Sequence, residues 1–136
     1  MSGQKVASWA YAEDFVGETV ALDAARARGE QLGATPVLAG TGAALRMLAA
    51  ACHAKTIVEI GSGAGVSGLW ILEGMPADGV LTTIEIQPEH GRAAKQAFAQ
   101  AGVPANRTRI ITGDARDVLP RLTDGAYDMV HVDGDK

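Results

Sequence analysis

The spacing of apolar residues divides the chain into a helical N-terminal part and a part in which short strands and helices alternate. Apolar residues recur at spacings of three to seven over residues 8–33, which predicts one helix, and an alanine-rich helix follows over about residues 40–53. The sequence G-A-T-P at 33–36 separates them, because the residue before a proline is disfavoured in the α conformation. We therefore expect an N-terminal helical cap over about residues 1–54.

From residue 55 onwards, short β-branched segments alternate with helical ones. Strands are predicted over residues 55–60, 79–86, 109–112 and 127–132. Helices are predicted over residues 66–75, from Pro88 towards Gly102, and over residues 115–122 with a break at Pro120. Such alternation is typical of βαβ units, which form a parallel sheet. The predicted fold is α/β, with a Rossmann-like core over about residues 55–136 that forms one domain with the cap.

Composition narrows the possible partners and surroundings. A chain of 136 residues, 47% hydrophobic and 21% charged, suits one soluble globular domain. The net charge is −4 and the basic residues are scattered, so nucleic acid is not an expected partner. Neither a signal peptide nor an apolar run of about 18–20 residues is visible, so no membrane segment is predicted. The single cysteine, Cys52, favours a reducing compartment, and we expect a cytoplasmic protein.

Residues 57–68, I-V-E-I-G-S-G-A-G-V-S-G, place a glycine-rich loop directly after the first predicted strand. Residues 63–68 match the dinucleotide fingerprint G-x-G-x-x-G literally. In that fingerprint, however, the first glycine follows the strand at once. Here that glycine is Gly61, and the third required glycine would be Val66. A phosphate loop is also disfavoured, because no Gly-Lys-Ser/Thr follows.

The remaining pattern is an acid followed by alternating glycines: Glu59, Gly61, Gly63 and Gly65. A carboxylate near the loop would repel a pyrophosphate and attract a cationic ammonium or sulfonium group. The pattern therefore indicates an adenosine ligand that carries positive charge and no phosphate.

Two further acids follow later strands. Glu85 ends the second predicted strand and can accept hydrogen bonds from both hydroxyls of a ribose. Asp114 follows the third strand, where it can accept from an adenine amino group or begin a helix. Because parallel strands end at one edge of the sheet, we expect these acids to line one crevice.

This constellation, in its order and spacing, resembles the class I S-adenosylmethionine-dependent methyltransferases. The stretches V-L-T-T-I-E-I-Q-P-E-H and A-Y-D-M-V-H-V-D-G-D-K are similar to the cation-dependent O-methyltransferases that include catechol and caffeoyl-CoA O-methyltransferases. The resemblance runs from about residue 10 to Lys136 and corresponds to the N-terminal part of the family fold. It implies strand order 3-2-1-4, a homodimer, and methyl transfer to a hydroxyl of a small, catechol-like aromatic acceptor.

The resemblance also implies roles for individual residues. Glu59, Gly61 and Ser67 would border the methionine part of the cofactor, Glu85 would hold the ribose, and Asp114 with Ala115 would surround the adenine. The full set of candidate cofactor-binding residues is Val37, Glu59, Gly61, Ser62, Gly63, Gly65, Ser67, Glu85, Ile86, Gly113, Asp114, Ala115 and Asp133.

For catalysis, the resemblance implies that Asp133 binds Mg²⁺ and that Lys136 acts as general base. The sequence departs from the family pattern at Gly134, where Ala or His is usual, and it lacks the C-terminal Asp-Asn pair that completes the metal site. Without those later strands, residues 127–132 are expected to form a sheet edge. An NAD-dependent oxidoreductase and a non-catalytic cofactor-binding module remain as alternatives.

Overall fold

Three helices precede the first strand in the computed structural model, which describes residues 2–134. Their bounds are α1, Gly3–Phe15; α2, Val20–Gln31; and α3, Ala39–Ala51. The prediction of a single helix over residues 8–33 is therefore wrong. The chain is extended at Val16, and Thr19 begins a new helix by accepting a hydrogen bond from the Leu22 N–H at 3.2 Å.

The remaining elements follow the predicted alternation of strands and helices. Their bounds are β1, Thr56–Ile60; α4, Val66–Gly74; β2, Val80–Glu85; α5, Pro88–Gln100; β3, Thr108–Thr112; α6, Ala115–Val118; and β4, Met129–Val132. Most ends lie within two residues of the prediction. The helix predicted over residues 115–122 is shorter, because the chain tightens into a 3-10 turn at Leu119–Arg121, where Pro120 lies.

The four strands form one parallel sheet in the order β3-β2-β1-β4, which confirms the expected topology. Ile60 at the end of β1 pairs with Ile84 of β2 and with Val132 of β4. Glu85 at the end of β2 pairs with Thr112 at the end of β3. The carboxyl ends of all four strands therefore meet at one edge of the sheet.

The main apolar core lies between one face of the sheet and the helices α2 to α5. Helix α4 is buried on nearly every side, with Trp70 fully enclosed. Helix α3 packs closely on it at Gly42, where a Cβ atom would lie 2.6 Å from Cε2 of the Trp70 indole. Within residues 2–134, none of the helices combines the length and the apolar character that a membrane crossing requires.

The opposite face of the sheet carries a smaller cluster built on Val58, Ile84 and Val118. Strand β4 forms one edge of the sheet, and its residues Val130 and Val132 are exposed. Asp128 fixes the start of this edge, because its Oδ2 accepts the main-chain N–H groups of Lys55 at 2.8 Å and Thr56 at 3.1 Å.

Candidate functional site

A cleft of about 1050 Å³ lies where the four strands end. Its walls come from the segment before α3 and from the loop after each strand, at residues 33–37, 60–64, 84–87, 113–116 and 132–134. All candidate cofactor-binding residues except Glu59 and Gly65 line it: Val37, Gly61, Ser62, Gly63, Ser67, Glu85, Ile86, Gly113, Asp114, Ala115 and Asp133. The topology thus brings together residues that are far apart in the sequence.

The glycine loop crosses from β1 to α4 against the end of β4. Gly61 has φ +92° and donates its N–H to the carbonyl of Ile84 at 2.8 Å. A Cβ atom on Gly61 would lie 2.8 Å from the carbonyl carbon of Asp133 and closer still to its oxygen. The loop can therefore pass between neighbouring strand ends only because residue 61 has no side chain.

Glu85 forms the wall beside this loop. Its Oε2 accepts the Gly63 N–H and its Oε1 accepts the Gln87 N–H, both at 2.9 Å. The side chain is only 6% exposed, yet it lines the cleft. A carboxylate oxygen has two lone pairs, so each oxygen can accept a further hydrogen bond from a ligand hydroxyl.

Glu59 lies beneath the loop, and its expected direct contact with a cationic ligand is corrected by the structure. The side chain is fully buried and does not line the cleft. Its carboxylate accepts from Ser67 Oγ at 2.6 Å, Thr83 Oγ1 at 2.8 Å and His131 Nδ1 at 3.2 Å. A buried carboxylate needs such donors, so Glu59 supports the loop from behind.

Sequence reasoning missed Thr83 as part of this site. It lies fully buried in β2, and its Oγ1 is 2.5 Å from Ser62 Oγ, so it links the glycine loop to Glu59. A threonine inside a buried strand requires a polar partner, which was the available signal.

His131 of β4 completes the buried network. Because a carboxylate only accepts, Nδ1 donates to Glu59, and this hydrogen bond raises the pKa of His131 although burial opposes the shift. The hydrogen bond from Nδ1 therefore ties β4 to β1.

Asp114 and Arg116 form the wall that follows β3. Asp114 begins α6 by accepting the Arg116 N–H at 2.8 Å, and it also pairs with the Arg116 guanidinium at 2.6 Å. These contacts lower the pKa of Asp114 to about 2. The carboxylate is thus ionised near neutral pH, and both of its oxygens accept hydrogen bonds from Arg116 beside the cleft.

Of the residues predicted for metal binding and catalysis, the structure describes Asp133. This residue lines the cleft, and its N–H donates to Ile60 O at 2.8 Å. Lys136, the predicted base, lies outside the described residues. Within residues 2–134, no three His, Cys, Asp or Glu side chains form a group that could hold a metal ion. Asp133 alone is therefore one candidate ligand rather than a metal site.

A protein family and several individual proteins are similar to this chain in sequence. The model of a protein family described as O-methyltransferase matches residues 16–136. A putative O-methyltransferase of Mycobacterium sp. (strain JLS) is 53% identical over 126 residues, which cover 93% of this chain and 57% of that protein. A probable O-methyltransferase of Mycobacterium tuberculosis (strain ATCC 25618 / H37Rv) is 53% identical over 127 residues, with the same coverage. The chain thus spans little more than half the length of these relatives.

Solved structures agree with the sequence relatives. The O-methyltransferase TomG from Streptomyces achromogenes, in complex with SAM, superposes with a TM-score of 0.85 and 32% identity, over 98% of this chain and 63% of that one. A cofactor-bound protein from MTB gives 0.84 and 34% identity, over 99% of this chain and 62% of its own.

Proposed function

The chain belongs to the O-methyltransferase family, and from that premise we propose that its cleft binds S-adenosylmethionine and that the protein methylates a hydroxyl of a small, catechol-like aromatic acceptor. The cofactor supplies a methyl group on a positively charged sulfur. The observation that carries the proposal is the Glu85 carboxylate, fixed in the cleft wall by two main-chain donors. It can accept ribose hydroxyls, whereas a ribose phosphate there would be repelled.

The other walls suit the remaining parts of the cofactor. We assign the methionine part to the glycine loop, Ser67 and Val37, because bare main chain in the loop lets a ligand approach closely. We assign the adenine to Gly113, Asp114 and Ala115, which line the cleft after β3, and its amino group would share the Asp114 carboxylate with Arg116. Glu59 acts on this site through the loop that it supports.

The acceptor and the metal rest on the family resemblance. The stretch Y-D-M-V-H-V-D-G-D-K supports a catechol-like acceptor, whose paired oxygens could chelate an ion. The described residues contribute only Asp133 to such a site, so no step of the proposal is routed through a metal. The proposed base, Lys136, lies outside the described residues.

Calorimetric titration tests the cofactor assignment. We expect S-adenosylhomocysteine to bind the chain and NAD⁺ not to bind. Glu85→Gln is expected to weaken binding about 10- to 100-fold, because a charged acceptor is lost and one main-chain donor then faces an amide N–H. Glu73→Gln, which alters an exposed ion pair outside the cleft, is the matched control and should bind normally. Tight NAD⁺ binding, or full affinity in Glu85→Gln, would contradict the proposal.

Methyl transfer is tested separately with a panel of acceptors. Incubation of the chain with S-adenosylmethionine and a catechol, a monophenol or an aliphatic alcohol, followed by mass spectrometry, should give a methylated product with the catechol alone. Cofactor binding without any product would support the alternative of a non-catalytic binding module. Methylation of the alcohol alone would contradict the proposed acceptor class.

We also propose a homodimer that forms through α1. This helix buries none of its residues, and Tyr11 and Phe15, whose ring centroids are 5.9 Å apart, are 69% and 73% exposed. A contiguous exposed apolar patch of this kind marks an interaction surface. Sedimentation velocity should show a dimer that dissociates in the Tyr11→Ser/Phe15→Ser variant, and a monomer in the unaltered chain would refute the proposal. A cytoplasmic location, supported by the single cysteine, can be checked by cell fractionation.

A further inference from the structure

His90 lies in the first turn of α5, between the end of α2 and the Glu85 wall. Its Nε2 is 3.1 Å from the carbonyl oxygen of Leu32, which follows α2, and its Nδ1 is 3.9 Å from Oε1 of Glu85. The side chain is 18% exposed and lines the cleft. The structure thus places His90 in the candidate site.

The Leu32 carbonyl determines which imidazole nitrogen carries hydrogen. A carbonyl only accepts hydrogen bonds, so Nε2 must donate to it. In the neutral ring, Nδ1 then has a free lone pair. The 3.9 Å separation from Glu85 is too long for a hydrogen bond. When the ring is neutral, His90 and the Glu85 carboxylate therefore present two acceptors side by side.

We infer that His90 Nδ1 accepts a hydrogen bond from one ribose hydroxyl of the cofactor while Glu85 accepts from the other, so that the pair selects an intact cis-diol. The inference rests on the proposed function, because it needs a ribose at the Glu85 wall. A ribose offers two adjacent O–H donors, which match the two adjacent acceptors. A deoxyribose would leave one acceptor without a partner, and a desolvated, unpaired acceptor weakens binding.

The hydrogen bond to Leu32 also positions the His90 ring. It holds the ring in one orientation and connects it to Leu32, next to the segment 33–37 that lines the cleft. His90 is therefore a specificity-determining residue whose geometry depends on the helices that precede the sheet.

Calorimetry with S-adenosylhomocysteine and its 2′-deoxy and 3′-deoxy forms tests the inference, at about pH 8, where imidazole in water is neutral. In the unaltered chain, each deoxy form should bind about three- to tenfold more weakly. In His90→Phe, S-adenosylhomocysteine should weaken by a similar factor, while one deoxy form should show no further loss. The other deoxy form should keep its penalty, because Glu85 is still present.

Glu89→Gln is the matched control, since Glu89 precedes His90, is exposed and does not line the cleft. It should leave all three affinities unchanged. Equal weakening of all three ligands in His90→Phe would assign His90 to the Leu32 contact alone and overturn the inference. Unchanged affinities would overturn it as well.

A second measurement avoids substitution. In ¹⁵N NMR of the unaltered chain, the Nδ1 resonance of His90 should move when S-adenosylhomocysteine binds and move less with one deoxy form. Equal shifts with all three ligands would overturn the inference while leaving the proposed function intact. If S-adenosylhomocysteine does not bind at all, the proposed function fails first and the inference with it.

Discussion

Replacing Gly61 with alanine should damage both the stability of the chain and the proposed cofactor site. Two independent effects add at this position. The φ angle of +92° is a conformation that costs a residue with a side chain about 1–3 kcal/mol. The new methyl group would also overlap the carbonyl group of Asp133.

The overlap cannot be relieved cheaply. Asp133 is held by the hydrogen bond from its N–H to Ile60 O at 2.8 Å. Moving Asp133 away from Gly61 would break this hydrogen bond, which lies at the carboxyl end of the β1–β4 pairing. Overpacking of this kind costs about 1–3 kcal/mol. Together the two effects should lower the free energy of unfolding by about 2–6 kcal/mol, with a comparable loss in binding wherever the loop shifts instead.

Gly63→Ala provides the matched comparison within the same loop. Gly63 has φ +50°, inside the left-handed region, and its Cβ would meet only Ala34 Cβ at 3.8 Å. Its cost should therefore be about 1–2 kcal/mol. Urea unfolding and calorimetric titration with S-adenosylhomocysteine measure both variants. Equal losses in the two variants, or normal stability of Gly61→Ala, would refute the steric reasoning.

Two other perturbations have defined outcomes. Gly42→Ala should lower the free energy of unfolding by about 1–3 kcal/mol, because its methyl group would overlap the buried Trp70 indole. Gly91→Ala should raise the free energy of unfolding by up to about 1 kcal/mol, because alanine has the higher helix propensity and its methyl group would meet nothing closer than 3.6 Å. Equal changes in urea unfolding would contradict this. The pairing with Arg116 lowers the pKa of Asp114 to about 2. It therefore stabilises the fold at pH values above the ordinary pKa of a carboxyl group, and this stabilisation is lost as the pH falls towards 2. In Arg116→Gln, the NMR titration midpoint of Asp114 should rise, and an unchanged midpoint would refute the pairing.

The sheet could be predicted from the sequence because its signals are local. Each strand is a short β-branched segment next to glycine, proline or a polar turn, and the alternation with helices determines parallel pairing. The break at Val16–Thr19 was missed because apolar residues continue at helical spacings on both sides of it. The extended conformation at Val16 and the capping contact of Thr19 with Leu22 distinguish two helices from one.

The candidate site was partly predictable for the same reason. Loop residues that follow strands must lie at one edge of a parallel sheet, so Glu85 and Asp114 could be grouped from their positions alone, while Asp133 was expected from the family resemblance. The direction of a side chain at the end of a strand depends on its neighbours, however. The burial of Glu59 is determined by Thr83 and His131, which come from strands on either side of β1 and are separated from it by 24 and 72 residues.

The double engagement of Glu85 limits how easily this protein could acquire a different ligand preference. The same carboxylate that faces the cleft also anchors the main chain of Gly63. A substitution of Glu85 that allowed a phosphorylated nucleoside to bind would also remove the acceptor of the Gly63 N–H. The glycine loop, which forms part of the same binding surface, would then change its conformation. A change of ligand preference would therefore need a second substitution that supplies a new acceptor for the Gly63 amide, in engineered and in natural variants alike.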